Sequence, residues 1–307
     1  MTSKKSQLVI DGSTIDVSNL DKIFYPRTGF TKGQVMDYYV RISPALLPHL
    51  KDRPITLKRY PDGVEGFFFY EKQCPPHRPK WIKTAPVRKS DGSAVHYCVM
   101  NSLPALVWAA NLADLELHTF LHKASALARP DFLAFDLDPG EPADILLCCK
   151  VGLWLKDMFD ALGLKCFPKT SGSKGLQVFV PLNTPVNYAK TGAFAHAVAE
   201  LLEKNAPDTV VSKMRKSLRG GKVLVDWSQN DGHKTTVTVY SLRAREHPTV
   251  STPVTWEEVE AALQKGNPKV LSFEADQVLK RVEKHGDLFA PVLKLKQKLP
   301  PIKSLGH

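Results

Sequence analysis

The sequence predicts an α+β fold with mixed and antiparallel central sheets and flanking helices, on three observations. Tight-turn signals crowd the first third of the chain, a strand, helix, strand run begins near Arg129, and capping boxes open helices at Thr31 and Thr255. The elements follow in order. Gln7 to Ile10 and Ser13 to Val17 flank Asp11-Gly12, a dipeptide that tolerates positive φ at both positions, which predicts a hairpin. Thr31 with Gln34 opens a helix through Tyr38, Ile42 and Leu46, expected to end before Pro48. Pro54 to Tyr60 and Phe67 to Gln73 read as strands joined across Pro61-Asp62-Gly63.

In Asp131 to Asp138, Leu133, Phe135 and Leu137 alternate with Asp136 and Asp138, so a strand would bury the first set and present the two acids together. Ile145, Cys148, Gly152, Leu155, Phe159 and Leu162 recur at helical spacing, with Gly163 at the C-cap. Strands are expected at Leu164 to Pro168, Leu176 to Leu182, Lys222 to Ser228 and Thr235 to Leu242, and helices at Tyr188 to Lys204 and after Thr255. The end of the chain from Leu299 is expected to fray.

With 307 residues and 43% hydrophobic content the chain can bury a sizeable core. Its net charge of +11 suits a polyanionic partner without proving one. The distribution is more telling, since Ser212 to Arg245 holds eight basic residues against Asp226 and Asp231. The five cysteines make no C-x-x-C pair and no metal-ligand spacing, and read as reduced intracellular thiols. The start lacks the apolar run of a signal peptide, and nothing approaches a membrane span, so the expected location is cytoplasmic.

Asp136 and Asp138 on one strand face could ligate adjacent divalent cations, or could be an exposed strand face that carries two acids. Asp226 alternates with Val223, Val225 and Trp227 in the same way and supplies a third carboxylate, set among Lys216, Arg219, Lys222, Gln229, Lys234, Arg243 and Arg245. Such a mixture calls for cations and a triphosphate or nucleic acid; a solvated basic face with structural aspartates is the plain alternative. Thr170-Ser-Gly-Ser-Lys-Gly175 suits a phosphate cradle of backbone N–H groups, although it is not a Walker A loop and an ordinary hairpin turn also fits. Phe67-Phe-Phe-Tyr70 beside Lys58, Arg59 and Lys72 could stack bases, with alternation assigning two rings to the core and two to solvent. Lys22 and Lys32 flank a turn and could converge on one anion, and His118 reads by spacing as a half-buried histidine.

The chain closely resembles the polymerase domain of bacterial DNA ligase D, within the archaeo-eukaryotic primase superfamily. The resemblance runs from about Leu8 to about Asp287 and is carried by Leu20-Asp-Lys-Ile-Phe-Tyr-Pro26, Arg53-Pro-Ile-Thr-Leu-Lys-Arg-Tyr-Pro61, Phe69-Tyr-Glu-Lys-Gln73, Phe135-Asp-Leu-Asp-Pro-Gly140, Thr170-Ser-Gly-Ser-Lys-Gly-Leu176, Lys216-Ser-Leu-Arg219 and Val225-Asp-Trp-Ser-Gln-Asn230. It implies a primase-like fold with the active site between two sheet-containing modules. It further implies one catalytic domain over 1–298: an N-terminal module to about 125 with DNA-binding elements, a βαβ module over about 126–247, helices over about 254–290, and a flexible tail over 299–307. The implied activity is two-metal nucleotidyl transfer that fills gaps and extends ends in non-homologous end joining, favouring ribonucleotides and Mn2+, with Mg2+ as substitute.

By the same resemblance Asp136, Asp138 and Asp226 hold the metals. Lys58, His118, Ser171, Lys174, Arg219, Gln229 and Arg243 bind the nucleotide, Lys22 and Lys32 the DNA 5′-phosphate, and Phe69 and Tyr70 stack on the template. Implied partners are gapped or broken DNA, NTP or dNTP, Ku and a DNA ligase, with no membrane, in a nucleoid setting. Gln177 departs from the family's usual histidine, and no ligase or nuclease segment accompanies the domain, so the chain is a stand-alone relative or a piece of a larger enzyme. Primer synthesis is a second enzymatic reading, a catalytically weak end-binding module a third, and a nuclease a fourth that the basic cluster disfavours.

Overall fold

A computed structural model describes residues 5–89 and 91–306; the first residues, where a leaderless start was expected, and His307 at the end of the expected tail lie outside them. The architecture is α+β, with mainly antiparallel sheets and flanking helices, as expected. The chain divides into two compact units. Unit 1 comprises 1–120, 237–251 and 274–287, and unit 2 comprises 121–236, 252–273 and 288–307.

Unit 1 opens with the expected hairpin, β1 (Lys5–Ile10) and β2 (Ser13–Ser18), whose turn places Asp11 at φ 46° and Gly12 at φ 74°. A second small hairpin, β3 (Ile23–Tyr25) and β4 (Phe30–Thr31), leads into α1 (Lys32–Leu50), which has the expected Thr31/Gln34 capping box. The helix does not stop at Pro48. Pro44 and Pro48 both lie on its solvent face, and Ser43 Oγ donates to Val40 O at 2.8 Å, satisfying the carbonyl that Pro44 has no N–H to serve. On the inner face Tyr38, Tyr39, Ile42 and Leu46 are buried.

The main sheet of unit 1 runs β9 (Asp114–Thr119), β5 (Pro54–Arg59), β8 (Ala94–Val99), β7 (Lys83–Arg88), with β6 (Phe69–Glu71) also paired to β5 and α2 (Leu103–Asn111) alongside α1. The returning segment closes the β9 side, where Thr238 N donates to Leu117 O at 2.9 Å. The strand expected over Thr235 to Leu242 shrinks to Thr236–Val237, because Tyr240 adopts a left-handed φ of 64° and turns the chain. Cys74 and Cys98 form a disulfide, which corrects the expectation of five free thiols. They are 24 positions apart, so no short-spacing rule would pair them; Cys74 N bonds to His96 O, which carries Cys74 alongside β8.

Unit 2 is built on a sheet of order β11 (Phe167–Thr170), β12 (Leu176–Pro181), β10 (Phe132–Pro139), β14 (Val223–Asp226), β13 (Val210–Val211). Against it pack α3 (Ile145–Ala161), α4 (Tyr188–Asn205) and α5 (Trp256–Lys265). The alternation read from the sequence holds: Leu133, Phe135, Leu137, Val223 and Val225 are fully buried, each contributing roughly 1.5–3 kcal/mol. β11 starts three residues later than expected, since Gly163 at φ 71° leaves Leu164 to Cys166 without strand pairing. The segment expected to fray carries a 3-10 turn, Ile302–Gly306, and Leu299 and Leu305 pack on the core. Among the described residues no helix is long and apolar enough to cross a membrane.

Candidate active site

The acidic centre lies in unit 2 and follows from strand register. β10 and β14 are antiparallel, with Asp136 directly opposite Asp226 and Asp138 opposite Leu224, so alternation sets three carboxylates on one face over a fully apolar other face. Like charges across a strand pair repel. Burial, and then the Asp226 charge, raise the Asp136 carboxyl from its ordinary 3.8 to about 6, against a hydrogen bond from Gln177 that lowers it.

Each acid is tied to a neighbouring donor. Asp138 Oδ2 is 3.2 Å from Arg219 Nη1, while Asp226 accepts from Ser228 N at 2.9 Å, Ser228 Oγ at 2.6 Å and Gln229 Nε2 at 3.0 Å. Among the described residues no group of three His, Cys, Asp or Glu side chains is gathered as a bound cation requires. Chemically the donors fit a hard divalent ion: they are all carboxylate oxygens on one face, and Asp136 and Asp226 stand directly opposite each other. Gathering them around an ion requires Asp138 to turn from Arg219 and Asp226 from Ser228 and Gln229.

Two close backbone approaches bring phosphate-binding candidates to this end of β10. The Thr170 to Gly175 loop is a hairpin turn between β11 and β12, as the plainer reading had it, with Gly172 at φ 68°. Ser171 Oγ accepts from Ser173 N at 3.2 Å and Gly175 N at 3.1 Å, and Lys174 meets the exposed Glu141 at 2.8 Å. A Cβ on Gly175 would lie 2.0 Å from Leu137 O, so only glycine lets this loop lie against the strand that carries the acids. Gly140 likewise admits the Arg219 backbone: a Cβ there would lie 1.9 Å from Arg219 O. Asp136, Asp138, Asp226, Ser171, Lys174, Arg219 and Gln229 therefore assemble within one unit.

Unit 1 holds the other candidates in a second cluster. On β5, Lys58 sits opposite Glu116 of β9 on one side and Tyr70 of β6 on the other, and His118 follows Glu116 on the same face. Lys58 Nζ lies 5.3, 4.7 and 5.4 Å from the ring centroids of Tyr60, Phe68 and Tyr70. Arg243 Nε is 3.3 Å from Glu116 Oε2, and Tyr25 OH donates to Arg243 O at 3.0 Å, which fixes that backbone.

Phe69 and Tyr70 are not brought together. As strand neighbours they point to opposite faces, Phe69 under the Arg59 guanidinium at 5.2 Å and Tyr70 beside Lys58. Phe67, Phe68 and Tyr70 are exposed and Phe69 is half-buried, instead of an even division between core and solvent. The backbones of Lys22 and Lys32 lie side by side, since Lys32 N donates to Lys22 O at 2.8 Å. Lys22 Nζ pairs with Asp62 at 2.8 Å, and the buried Lys32 Nζ donates to Ser18 O and Asn111 Oδ1, both at 2.7 Å. Sequence reasoning missed Glu116, although an ionisable pair alternating in an apolar strand, Glu116 and His118, was the available signal. It also missed the fully buried Lys169, which donates to Gln177 Oε1.

A family model described as the LigD primase-polymerase domain matches residues 31–289. The multifunctional non-homologous end joining protein LigD of Mycolicibacterium smegmatis is 39% identical over 280 residues, 91% of this chain and 36% of the relative. The bifunctional LigD of Bacillus subtilis is 31% identical over 273 residues, 89% of this chain and 43% of the relative. The chain thus spans well under half the length of these curated relatives. Among solved structures, the polymerase domain of Mycobacterium tuberculosis ligase D, in complex with DNA, superposes with a TM-score of 0.84 at 38% identity, covering 92% of this chain and 99% of that one. With the paired aspartates, the glycine-seated loop and these matches together, the chain belongs to the LigD primase-polymerase domain family.

Proposed function

We propose that the chain is a template-dependent nucleotidyltransferase that adds nucleotides to DNA 3′ ends in gap filling and end joining. The observation that carries the reading is Asp136 set directly opposite Asp226, with Asp138 two residues along the same face. Asp136, Asp138 and Asp226 would hold two divalent cations, Mn2+ preferred and Mg2+ accepted. Cations held there would supply a lowered pKa for the primer 3′-hydroxyl and charge stabilisation for the leaving pyrophosphate.

The rest of the work falls to the chain's own side chains. Arg219, released from Asp138, and Lys174, released from Glu141, would turn to the triphosphate and offset charge on its oxygens. The Ser173 and Gly175 N–H groups, released from Ser171 Oγ, would serve as further donors to phosphate, and Gln229, released from Asp226, would join the nucleotide contacts. Lys58, His118 and Arg243 are assigned to the nucleotide, and Lys22 and Lys32 to a DNA 5′-phosphate. Tyr70 is assigned to base stacking, with the exposed Phe68, whose ring centroid lies 6.2 Å from that of Tyr70, better disposed to join it than Phe69. Support for DNA as substrate comes from the DNA-bound relative, and support for a bacterial end-joining setting from the names of the relatives; Ku and a DNA ligase are the partners this setting would call for.

The test is extension of a labelled, 5′-phosphorylated gapped duplex with each NTP and dNTP in turn, with Mn2+, Mg2+ or EDTA. The proposal expects one-nucleotide steps that fill the gap, faster with NTP and Mn2+ and absent in EDTA. Shortened products, or none under any condition, would overturn it. The same mixture on a bare single strand separates extension from primer synthesis.

A further inference from the structure

We propose that Glu116 is the positioning residue of the unit 1 basic cluster, a buried carboxylate that sets Lys58, His118 and Arg243 in one orientation for a nucleoside triphosphate. This rests on the reading of those three residues as nucleotide-binding. Glu116 is 2% exposed, and its two oxygens divide the cluster between them. Oε2 lies 3.0 Å from His118 Nε2 and 3.3 Å from Arg243 Nε; Oε1 accepts from Ala244 N at 3.0 Å, with Lys58 Nζ at 3.4 Å and Tyr60 OH at 3.5 Å.

The distances separate anchor from cargo. His118 and the Ala244 amide hold the carboxylate at ordinary hydrogen-bond length, whereas Lys58 and Arg243 stand at the edge of contact. Lys58 is therefore oriented without being consumed, and its ammonium keeps donors for an incoming anion. Formal charge agrees: Lys58 and Arg243, with Arg245 close enough to act on Lys58, outnumber the one acid, leaving the cluster positive. The aromatic rings of Tyr60, Phe68 and Tyr70 wall in the Lys58 ammonium, which limits where it can go.

A carboxylate this deep needs such company. Burial raises the Glu116 carboxyl, but the His118 hydrogen bond and the Arg243, His118 and Lys58 charges outweigh it and hold the group well below the usual range. Remove the charge, and the half-buried Lys58 and Arg243 lose their common counter-ion and repel one another. A purely architectural carboxylate would affect stability; a positioning one affects triphosphate affinity with the fold intact.

The experiment is titration of a fluorescent nucleoside triphosphate into the wild-type chain, Glu116→Gln and Glu116→Asp, with melting temperature and gapped-DNA affinity followed in parallel. The expected result is a triphosphate Kd raised on the order of tenfold or more in Glu116→Gln, partial recovery in Glu116→Asp, and DNA affinity close to wild type, with a fall in melting temperature from the lost counter-ion that leaves both variants folded at the assay temperature. A Kd within about twofold of wild type, or a loss confined to protein no longer folded at the assay temperature, overturns the proposal. A wild-type chain that binds triphosphate but extends no primer sinks the polymerase reading and leaves the Glu116 proposal to stand on its Kd; one that binds none sinks both.

Discussion

Asp136→Asn should make the metal-free protein more stable while destroying its activity. Burial and the facing Asp226 raise the Asp136 carboxyl from 3.8 to about 6. The fold thus favours the protonated acid, and ionised Asp136 costs stability above pH 6, a cost that fades as pH falls from 6 towards 3.8. Roughly two pH units correspond to about 3 kcal/mol at pH 7. Asp136 is only partly buried by surface area, so water will relax part of that, and a gain of about 1–2 kcal/mol is the expectation. For a chain of 307 residues that raises the melting temperature by about 2–3 °C. The assay is thermal unfolding in EDTA at pH 7 and pH 5, then with added Mn2+. Asparagine should raise the melting temperature at pH 7, raise it less at pH 5, and cancel the stabilisation that Mn2+ gives the wild type. A lower melting temperature than wild type in EDTA at pH 7, or an equal gain at both pH values, would refute the reasoning.

Other outcomes follow from the same geometry. Gly175→Ala puts a Cβ 2.0 Å from Leu137 O and must push the loop off β10, costing about 1–3 kcal/mol; triphosphate Kd should rise while gapped-DNA affinity stays, and an unchanged Kd in titration would count against the loop. Asp138→Ala should abolish nucleotide addition and leave DNA binding nearly intact, read by gel extension and fluorescence anisotropy; substantial residual extension contradicts the assignment. Burial, then Lys22 and Arg59, pull the Lys32 ammonium down to about 8, so its charge is present below that pH and lost above it. The preference for 5′-phosphorylated over unphosphorylated gaps should therefore shrink between pH 7 and pH 9, and Lys22→Ala with Lys32→Ala should remove it at pH 7. A preference unchanged by pH and by both substitutions would dismiss the lysine pair.

The acidic face was legible because strand alternation is local: Leu133, Phe135 and Leu137 against Asp136 and Asp138 settle which way each side chain points before any partner strand is known. Register is not local, and nothing in the chain near Asp226 announces that it pairs with a residue 90 positions earlier. The same alternation, applied to Phe69 and Tyr70, already implied the opposite faces on which the strand sets them. Glu116 was overlooked because its importance lies in what surrounds it, and His118, Lys58 and Arg243 arrive from three separate segments. Pro48 misled for a related reason: whether a helix survives a proline depends on which face it occupies and whether a nearby hydroxyl serves the orphan carbonyl.

The central claim is that Asp136, Asp138 and Asp226 together hold the divalent cations of a nucleotidyl-transfer site. Its most direct measurement is Mn2+ binding by electron paramagnetic resonance, comparing wild type with Asp136→Asn/Asp226→Asn in the presence of a triphosphate and gapped DNA. The account predicts saturable binding in the wild type that is lost when the facing pair is neutralised. Equal Mn2+ affinity and stoichiometry in the two proteins would contradict it.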